Sequence, residues 1–335
     1  MKIMDCTLRD GGYNCQWNFD INLVNNYLKS LEKSNIEAVE IGFKTVNQNK
    51  DCGMFGKLTD EFINENLNIP NIEFIGVMIN SKEYDYESVK RDFKYVYETQ
   101  YNLVRIATYY KDIEKTRLIA RCLKGLGYIV SINLMQSSLE SYHNIFKTCQ
   151  YIQSWDTIDI LYLADSLGNM SENDIINSYE HLKKGWKGKI GFHGHNNKNN
   201  ALVNSLEAVD NFDIDFVDST MIGMGRGAGN TQTEYLILEL NKRGYGEYDI
   251  NPIISVMGDF YKLKNELKWG SNIFYYLAAD YNIHPTYVQT MIERKYNFKK
   301  IIKNIGILKN KNMFDKNILG KKQKKLIKTM FDIFK

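Results

Sequence analysis

Short runs of apolar and β-branched residues recur along the chain at intervals of roughly thirty residues, the spacing of a strand–helix unit. In order they are 3-IMDCT-7, 38-AVEIGF-43, 73-EFIGVMI-79, 103-LVRIAT-108, 129-IVSINLM-135, 160-ILYLAD-165, 189-KIGFHGH-195 and 216-FVDSTM-221. Between them apolar residues fall at i, i+3, i+4 and i+7, as in 20-DINLVNNYLKSLEKSN-35 and 112-DIEKTRLIARCLKGLG-127, which predicts amphipathic helices. Gly127 and the polar 33-KSN-35 stand where helix stops are expected. Strands alternating with helices predict a parallel sheet, and eight strands is the number that closes a TIM (β/α)8 barrel. An open doubly wound sheet is the alternative, because strand order is not written in the sequence. Past residue 250 the strand runs stop. The stretches 253-IISVMGDFYKLKNELK-268 and 272-NIFYYLAADYN-282 read as helical. The expected division is therefore a barrel over 1–250 and a C-terminal helical appendage over 251–335.

Composition narrows the class without changing this picture. Hydrophobic residues make up 44% of the 335 and charged residues 25%, the balance of an ordinary globular protein. A formal charge of +3 leaves no basic footprint for nucleic acid. No apolar run approaches the roughly 18 residues of a membrane span, and the opening MKIMDCTLRDGG has no apolar signal core, so a cytoplasmic location is expected. The terminal 321-KKQKKLIKTMFDIFK-335 reads as a helix with a solvated lysine face. Cysteines 6, 15, 52, 122 and 149 include no C-x-x-C pair, which argues for reduced thiols and against a cysteine-built zinc site.

Candidate chemistry begins with 189-KIGFHGHNNKNN-200. His193 and His195, two of only five histidines, are one residue apart, so on a strand they project to the same side. Two imidazoles so placed can be a metal site, an acid/base pair or polar residues at a strand end. A barrel carries its active site at the C-terminal ends of its strands, and imidazole is a good ligand for divalent ions. The natural third ligand is a carboxylate, which Asp10 of 5-DCTLRDGG-12 supplies just after the first strand. Closure puts strand 1 beside strand 8 and strand 8 beside strand 7, so Asp10, His193 and His195 share one sector of the mouth. In an open sheet that adjacency would not follow.

After strand 8 comes 223-GMGRGAGNTQTE-234. Its glycines stand in the wrong context for a dinucleotide fold, which places them after the first strand of a βαβ unit. They can cradle a phosphate, or let Asn230 approach a metal as an oxygen ligand. Glu40, Arg105, Thr108, Asp165 and Asp218 are polar groups within apolar runs; a hydrogen-bonded barrel lining accounts for them, as it does for Asp5. Glu40 can also face the mouth. His143, His181 and His284 fit surface or packing roles. Tyr275, Tyr276 and Tyr281 fit packing.

The segments 2-KIMDCTLRDGG-12, 191-GFHGHNN-197 and 217-VDSTMIGMGRGAGNTQTE-234, together with 104-VRIAT-108 and 163-LADSLG-168, resemble the DRE-TIM metallolyases, the 3-hydroxy-3-methylglutaryl-CoA lyase-like superfamily. Within it the 4-hydroxy-2-oxovalerate aldolase branch is most similar. The resemblance spreads over nearly the whole barrel and extends, less specifically, to 269-WGSNIFYYLAADYNIHP-285. It implies that Asp10, His193 and His195 bind a divalent cation, Mn²⁺ or Mg²⁺, with Asn230 completing the shell as in the acyl-CoA branches. It also implies that Arg9 stabilises an enolate. The chemistry agrees: breaking a carbon–carbon bond beside a ketone leaves an enolate, whose charge a Lewis acid and a fixed guanidinium make less costly.

The implied reaction is aldol cleavage or formation of a 4-hydroxy-2-oxo acid, giving pyruvate and an aldehyde. The chain departs from that branch at one place. Tyr13 stands where those aldolases carry a histidine, three residues after the metal aspartate, and an ordinary tyrosine titrates near 10. It needs the metal or Arg9 to lower its pKa before it can act as a base; otherwise it relays protons or orients a water. Claisen chemistry on an acyl-CoA is the neighbouring alternative, though 221-MIGMGRGAGN-230 lacks the catalytic cysteine usual there. An iron oxygenase with a two-histidine, one-carboxylate triad and an inactive metal-binding barrel are the readings from other classes. The expected partners are the small 2-oxo acid and aldehyde, and a second copy of the chain in a homodimer. The family's frequent partner, an acylating aldehyde dehydrogenase, is specified by nothing in the sequence.

Overall fold

The computed structural model describes residues 1–319; the lysine-rich 321–335 lie outside them. Eight parallel strands close into one barrel in chain order. They are β1 (Lys2–Asp5), β2 (Ala38–Phe43), β3 (Phe74–Asn80), β4 (Leu103–Tyr109), β5 (Ile129–Met135), β6 (Ile160–Asp165), β7 (Lys189–Gly194) and β8 (Phe216–Ser219). The registers β1–β8 and β7–β8 make the closure that a doubly wound sheet would lack, and each strand is followed by a helix outside it, from Ile21–Lys33 after β1 to Thr233–Arg243 after β8. Local chemistry sets these helices. Asp20 caps Ile21–Lys33 by accepting from the Leu23 N–H at 2.9 Å, and Ser171 and Asp174 form a reciprocal capping box on Glu172–Gly185.

Alternation along the strands sorts the interior into layers. Met4, Ala38, Phe74, Leu103, Ile160, Tyr162 and Phe216 form an apolar plug inside the barrel. Two residues further along their strands, Ala38, Leu103 and Phe216 give way to the buried Glu40, Arg105 and Asp218, as period two requires. A larger apolar layer, including Ile3, Leu31, Val39, Val104, Ile119 and Val217, fills the space between sheet and helices.

After the barrel, helix Ile250–Leu267 packs on Ile21–Lys33 at the barrel wall. Helices Ile273–Asp280, Pro285–Glu293 and Phe298–Ile307 build a second apolar cluster around Tyr275, Ile283, Tyr287, Met291, Ile301 and Ile305. This cluster sits on the C-terminal mouth. Gln289 Nε2 donates to the Tyr13 carbonyl at 3.1 Å, Asn169 Nδ2 to Asn282 Oδ1 at 2.8 Å, and Lys198 pairs with Asp280 at 2.8 Å. No helix among the described residues is long and apolar enough to cross a membrane, and all five cysteines are free.

Candidate metal centre and active site

Gly191, His193 and His195 occupy alternate positions at the end of β7, so both imidazoles reach the interior of the mouth. His195 lies one residue past the strand and pairs through its backbone with Asn230. Asp10 arrives differently from the expected strand end. β1 stops at Asp5, and Thr7–Gly11 wind into a π-helical turn, a form that favours functional sites. Both Arg9 and Asp10 are buried there.

The three side chains meet. Asp10 Oδ2 is 3.1 Å from His193 Nε2 and 3.7 Å from His195 Nε2, and the rings stand nearly perpendicular with centroids 5.0 Å apart. One ligand atom from each lies within 4.8 Å of the other two. His193 Nδ1 is 2.8 Å from Asp218 Oδ2, so it carries the proton and leaves Nε2 facing Asp10, the arrangement by which a carboxylate fixes a metal-binding histidine. His193 Nε2, His195 Nδ1 and Asn230 Oδ1 are buried without a hydrogen-bond partner. Buried polar atoms are normally paired, so this set of nitrogen and oxygen donors fits a divalent cation.

Around these residues the ion pairs close into a ring. Arg9 Nη1 is 2.7 Å from Asp10, and its Nε is 2.6 Å from Glu40. Glu40 is 3.2 Å from Arg105 Nη1, and Arg105 Nη2 is 2.6 Å from Asp218. Asp218 returns through His193 to Asp10. Arg105 is fully buried, with its guanidinium 4.4 Å from the centroid of the Tyr162 ring. Burial works against the Asp10 charge, but Arg9 and the two histidines hold the carboxyl well below its usual range. Burial likewise works against the Asp218 charge, and Arg105 and His193 keep it low. Burial pushes His195 down to about 3, so its ring is a neutral lone-pair donor. Burial also works to lower His193, but the Asp10 and Asp218 carboxylates beside its two nitrogens raise it; a cation bound at Nε2 would compete with protonation there.

Glycine is required in the loop after β8. A side chain at Gly225 would put its Cβ 2.2 Å from Asn230 Nδ2 and 3.4 Å from Asp10 Oδ1. Gly227 has φ +70°, and a Cβ there would meet Asn197 Oδ1 at 2.6 Å. The phosphate-cradle alternative finds little support, because these loop amides are committed. Arg226 N–H donates to Asp10 Oδ1, Ala228 N–H to Asn197 Oδ1 and Asn230 N–H to the Gly223 carbonyl.

Tyr13 is half-buried, 4.6 Å from Trp17 between ring centroids. Burial raises its pKa, more than Arg226 and Arg9 lower it. Arg9 alone therefore does not bring the phenol toward the range of a base. Tyr13, Arg9, Asp10, His193 and His195 line a cavity of about 70 Å³ at the mouth. Arg226, Asn80, Asn133 and Ser166 line it too, and sequence reasoning missed all four. The one signal for Arg226 was a charge among glycines. Asp5 accepts from Thr7, Tyr27 and Thr233, as a structural carboxylate does. His143 is exposed, His181 stacks on Tyr142, and His284 is buried at the start of Pro285–Glu293. Tyr275, Tyr276 and Tyr281 do not line the cavity.

Residues 72–265 match the HMGL-like family, and the chain belongs to it, within the DRE-TIM metallolyase superfamily. It is 28% identical over 246 residues to 4-hydroxy-2-oxovalerate aldolase of Geobacillus genomosp. 3, covering 73% of this chain and 71% of the relative. It is 28% identical over 244 residues to oxaloacetate decarboxylase of Mycobacterium tuberculosis, covering 72% and 70%. Among solved structures, the N-terminal domain of a candidate aldolase from Bacteroides vulgatus superposes with TM-score 0.81 at 30% identity, covering 91% of this chain and all of that one. A Bacillus subtilis HMG-CoA lyase, at 12% identity, TM-score 0.66 and coverage of 80% and 94%, shares the fold.

Proposed function

We propose that the protein is a divalent-metal-dependent aldolase that cleaves or forms the C3–C4 bond of a 4-hydroxy-2-oxo acid, giving pyruvate and an aldehyde. The observation that carries this reading is the meeting of Asp10, His193 and His195 at the barrel mouth, with Arg9 held beside them by two carboxylates. Asp10, His193 and His195 would hold the ion, and Asn230 Oδ1 is the fourth donor at hand. A divalent ion there, Mn²⁺ or Mg²⁺, supplies Lewis-acid polarisation of the 2-oxo group.

The chain's own residues do the rest. In cleavage the 4-hydroxyl passes its proton to water, the C3–C4 electrons move into the 2-oxo acid as an enolate, and C4 leaves as a carbonyl. Arg9 cannot swing away, because Glu40 and Asp10 clamp it, so it offers a preorganised positive charge to the enolate oxygen. Tyr13, whose pKa burial raises, is a proton donor for enolate carbon C3. The cluster of helices over the mouth limits the entry of water. The assay supplies Mn²⁺ and 4-hydroxy-2-oxo acids of varied tail and follows pyruvate and aldehyde. Equal yields of the two, abolished in His193→Ala, are expected; absence of pyruvate with every tail refutes the reading.

A second reading is favoured by Tyr13 itself. Loss of carbon dioxide from a 3-carboxy-2-oxo acid forms the same enolate and needs no base for a hydroxyl proton. The relative named oxaloacetate decarboxylase supports that alternative. Release of carbon dioxide without any aldehyde would select it.

A further inference from the structure

Among the described residues, no carboxylate pairs with the Arg226 guanidinium that lines the cavity. Arg226 lies in the glycine loop after β8 and lines the cavity with Arg9, Asp10 and Tyr13. Its guanidinium carbon is 5.3 Å from the centroid of the Tyr13 ring, and its Nε is buried without a hydrogen-bond partner. Arg9 differs, since Asp10 and Glu40 pair directly with its Nη1 and Nε. Among the described residues Asp10 is the one carboxylate in the cavity lining, and it is engaged by Arg9 and both histidines.

The position of Arg226 is built. Its main-chain N–H donates to Asp10 Oδ1 at 3.2 Å. Gly225 is pressed against Asn230, and Gly227 against Asn197 and Pro285 of the helical cluster. Stacking on an aromatic face restrains a guanidinium while leaving its N–H fork free for a carboxylate. Asn133 and Ser166, both buried, add polar groups to the same cavity. At about 70 Å³ the cavity suits a compact anion.

We propose that Arg226 binds a second carboxylate, at the aldehyde end of the substrate, so that the enzyme acts on short 4-hydroxy-2-oxo dicarboxylic acids. The proposal rests on the aldolase reading. The keto and carboxylate oxygens of a 2-oxo acid are the pair that can chelate an ion at Asp10, His193 and His195, which leaves Arg226 for an anion further along the chain. Cleavage then proceeds with the bond changes given above. The 4-hydroxyl proton leaves, the C3–C4 bond breaks and the enolate gains a proton at C3, so the products are pyruvate and an aldehyde bearing the second carboxylate. In the forward sense, the enzyme draws on a reaction that makes 2-oxo dicarboxylic acids hydroxylated at C4.

The test is calorimetric and independent of turnover. Full-length protein loaded with Mn²⁺ is titrated with 2-oxoglutarate and with 2-oxopentanoate, which match in length and differ only in the terminal carboxylate. The dicarboxylate is expected to bind about tenfold tighter or more, the scale of one charge-assisted hydrogen bond. Arg226→Gln brings the ratio of affinities close to one, and Arg226→Lys keeps part of it. A ratio near one in the parent protein overturns the proposal. So does a ratio that Arg226→Gln leaves unchanged while both affinities fall, which would place Arg226 on the shared 2-oxo acid end. Binding of neither acid removes the 2-oxo acid reading and this proposal together, a result distinct from both.

Discussion

Arg105 and His193 grip the same oxygen: Asp218 Oδ2 lies 2.6 Å from Arg105 Nη2 and 2.8 Å from His193 Nδ1. One arginine deep in the barrel thus fixes the tautomer and orientation of an imidazole at the mouth. Through Glu40, the same arginine reaches Arg9 on the other side of the site.

Asp218→Asn tests that link. It keeps the shape of the side chain but removes the charge that orients His193. Metal affinity, measured by competition with a chelator, is expected to fall about 10- to 100-fold, the usual cost of losing such a support. An unchanged affinity would mean that His193 is positioned without Asp218.

Arg105→Met probes stability. It leaves Glu40 and Asp218 buried without their shared cation, and breaking a buried ion pair from one side costs about 3–5 kcal/mol. Denaturant unfolding measures it. A loss below about 1 kcal/mol would show that the two carboxylates find other partners.

Gly225→Ala and Gly258→Ala should have opposite effects. The first drives a methyl group into Asn230 and toward Asp10, so metal binding weakens by about tenfold or more with helix content unchanged. The second lies inside helix Ile250–Leu267 with open space around it, so stability rises by about 0.5–1 kcal/mol. Equal metal affinity in both variants would contradict the account of the loop.

Glu234 and Asp165 should each contribute stability that is lost as pH rises on the acid side of neutrality, against the opposite contribution of the buried neutral His195 and His284. Burial pushes the Glu234 carboxyl up from 4.5 to about 7, and that of Asp165 from 3.8 to about 6. Between those values each carboxyl keeps a proton in the folded protein that the unfolded chain has lost, so its contribution to stability falls with each unit of pH until the higher value is passed. For Glu234 the total is about 3 kcal/mol. Glu234→Gln retains an acceptor for the Ile222 N–H, which bonds Glu234 at 3.0 Å, and should remove that downward share, making the pH slope of stability more positive between about pH 5 and 7 than in the parent. A slope unaltered by the substitution would assign it to other groups.

Much of this was legible in the sequence because period two and period 3.6 are local signals. The eight apolar runs locate all eight strands, and the i, i+3, i+4 patterns at 20–35 and 112–127 locate helices Ile21–Lys33 and Ile113–Gly125. The strand ends were less clear. The run 3-IMDCT-7 reads as β to its end, yet the chain leaves the sheet at Asp5 for the π-helical turn. Arg105 and Asp218 stood out as polar residues in apolar runs. Their pairing with each other did not, since 113 residues separate them and only closure of the barrel joins them. Arg226 and the burial of His284 were hidden for the same reason: both depend on the helical cluster folding back over the mouth.

The most direct measurement is metal content. Protein purified without chelator, loaded with Mn²⁺ and desalted, should carry one ion per chain by elemental analysis, and the His193→Ala/His195→Ala double variant should carry none while keeping its barrel circular dichroism. A parent protein that retains no ion after loading, or a double variant that retains as much as the parent, would contradict the account.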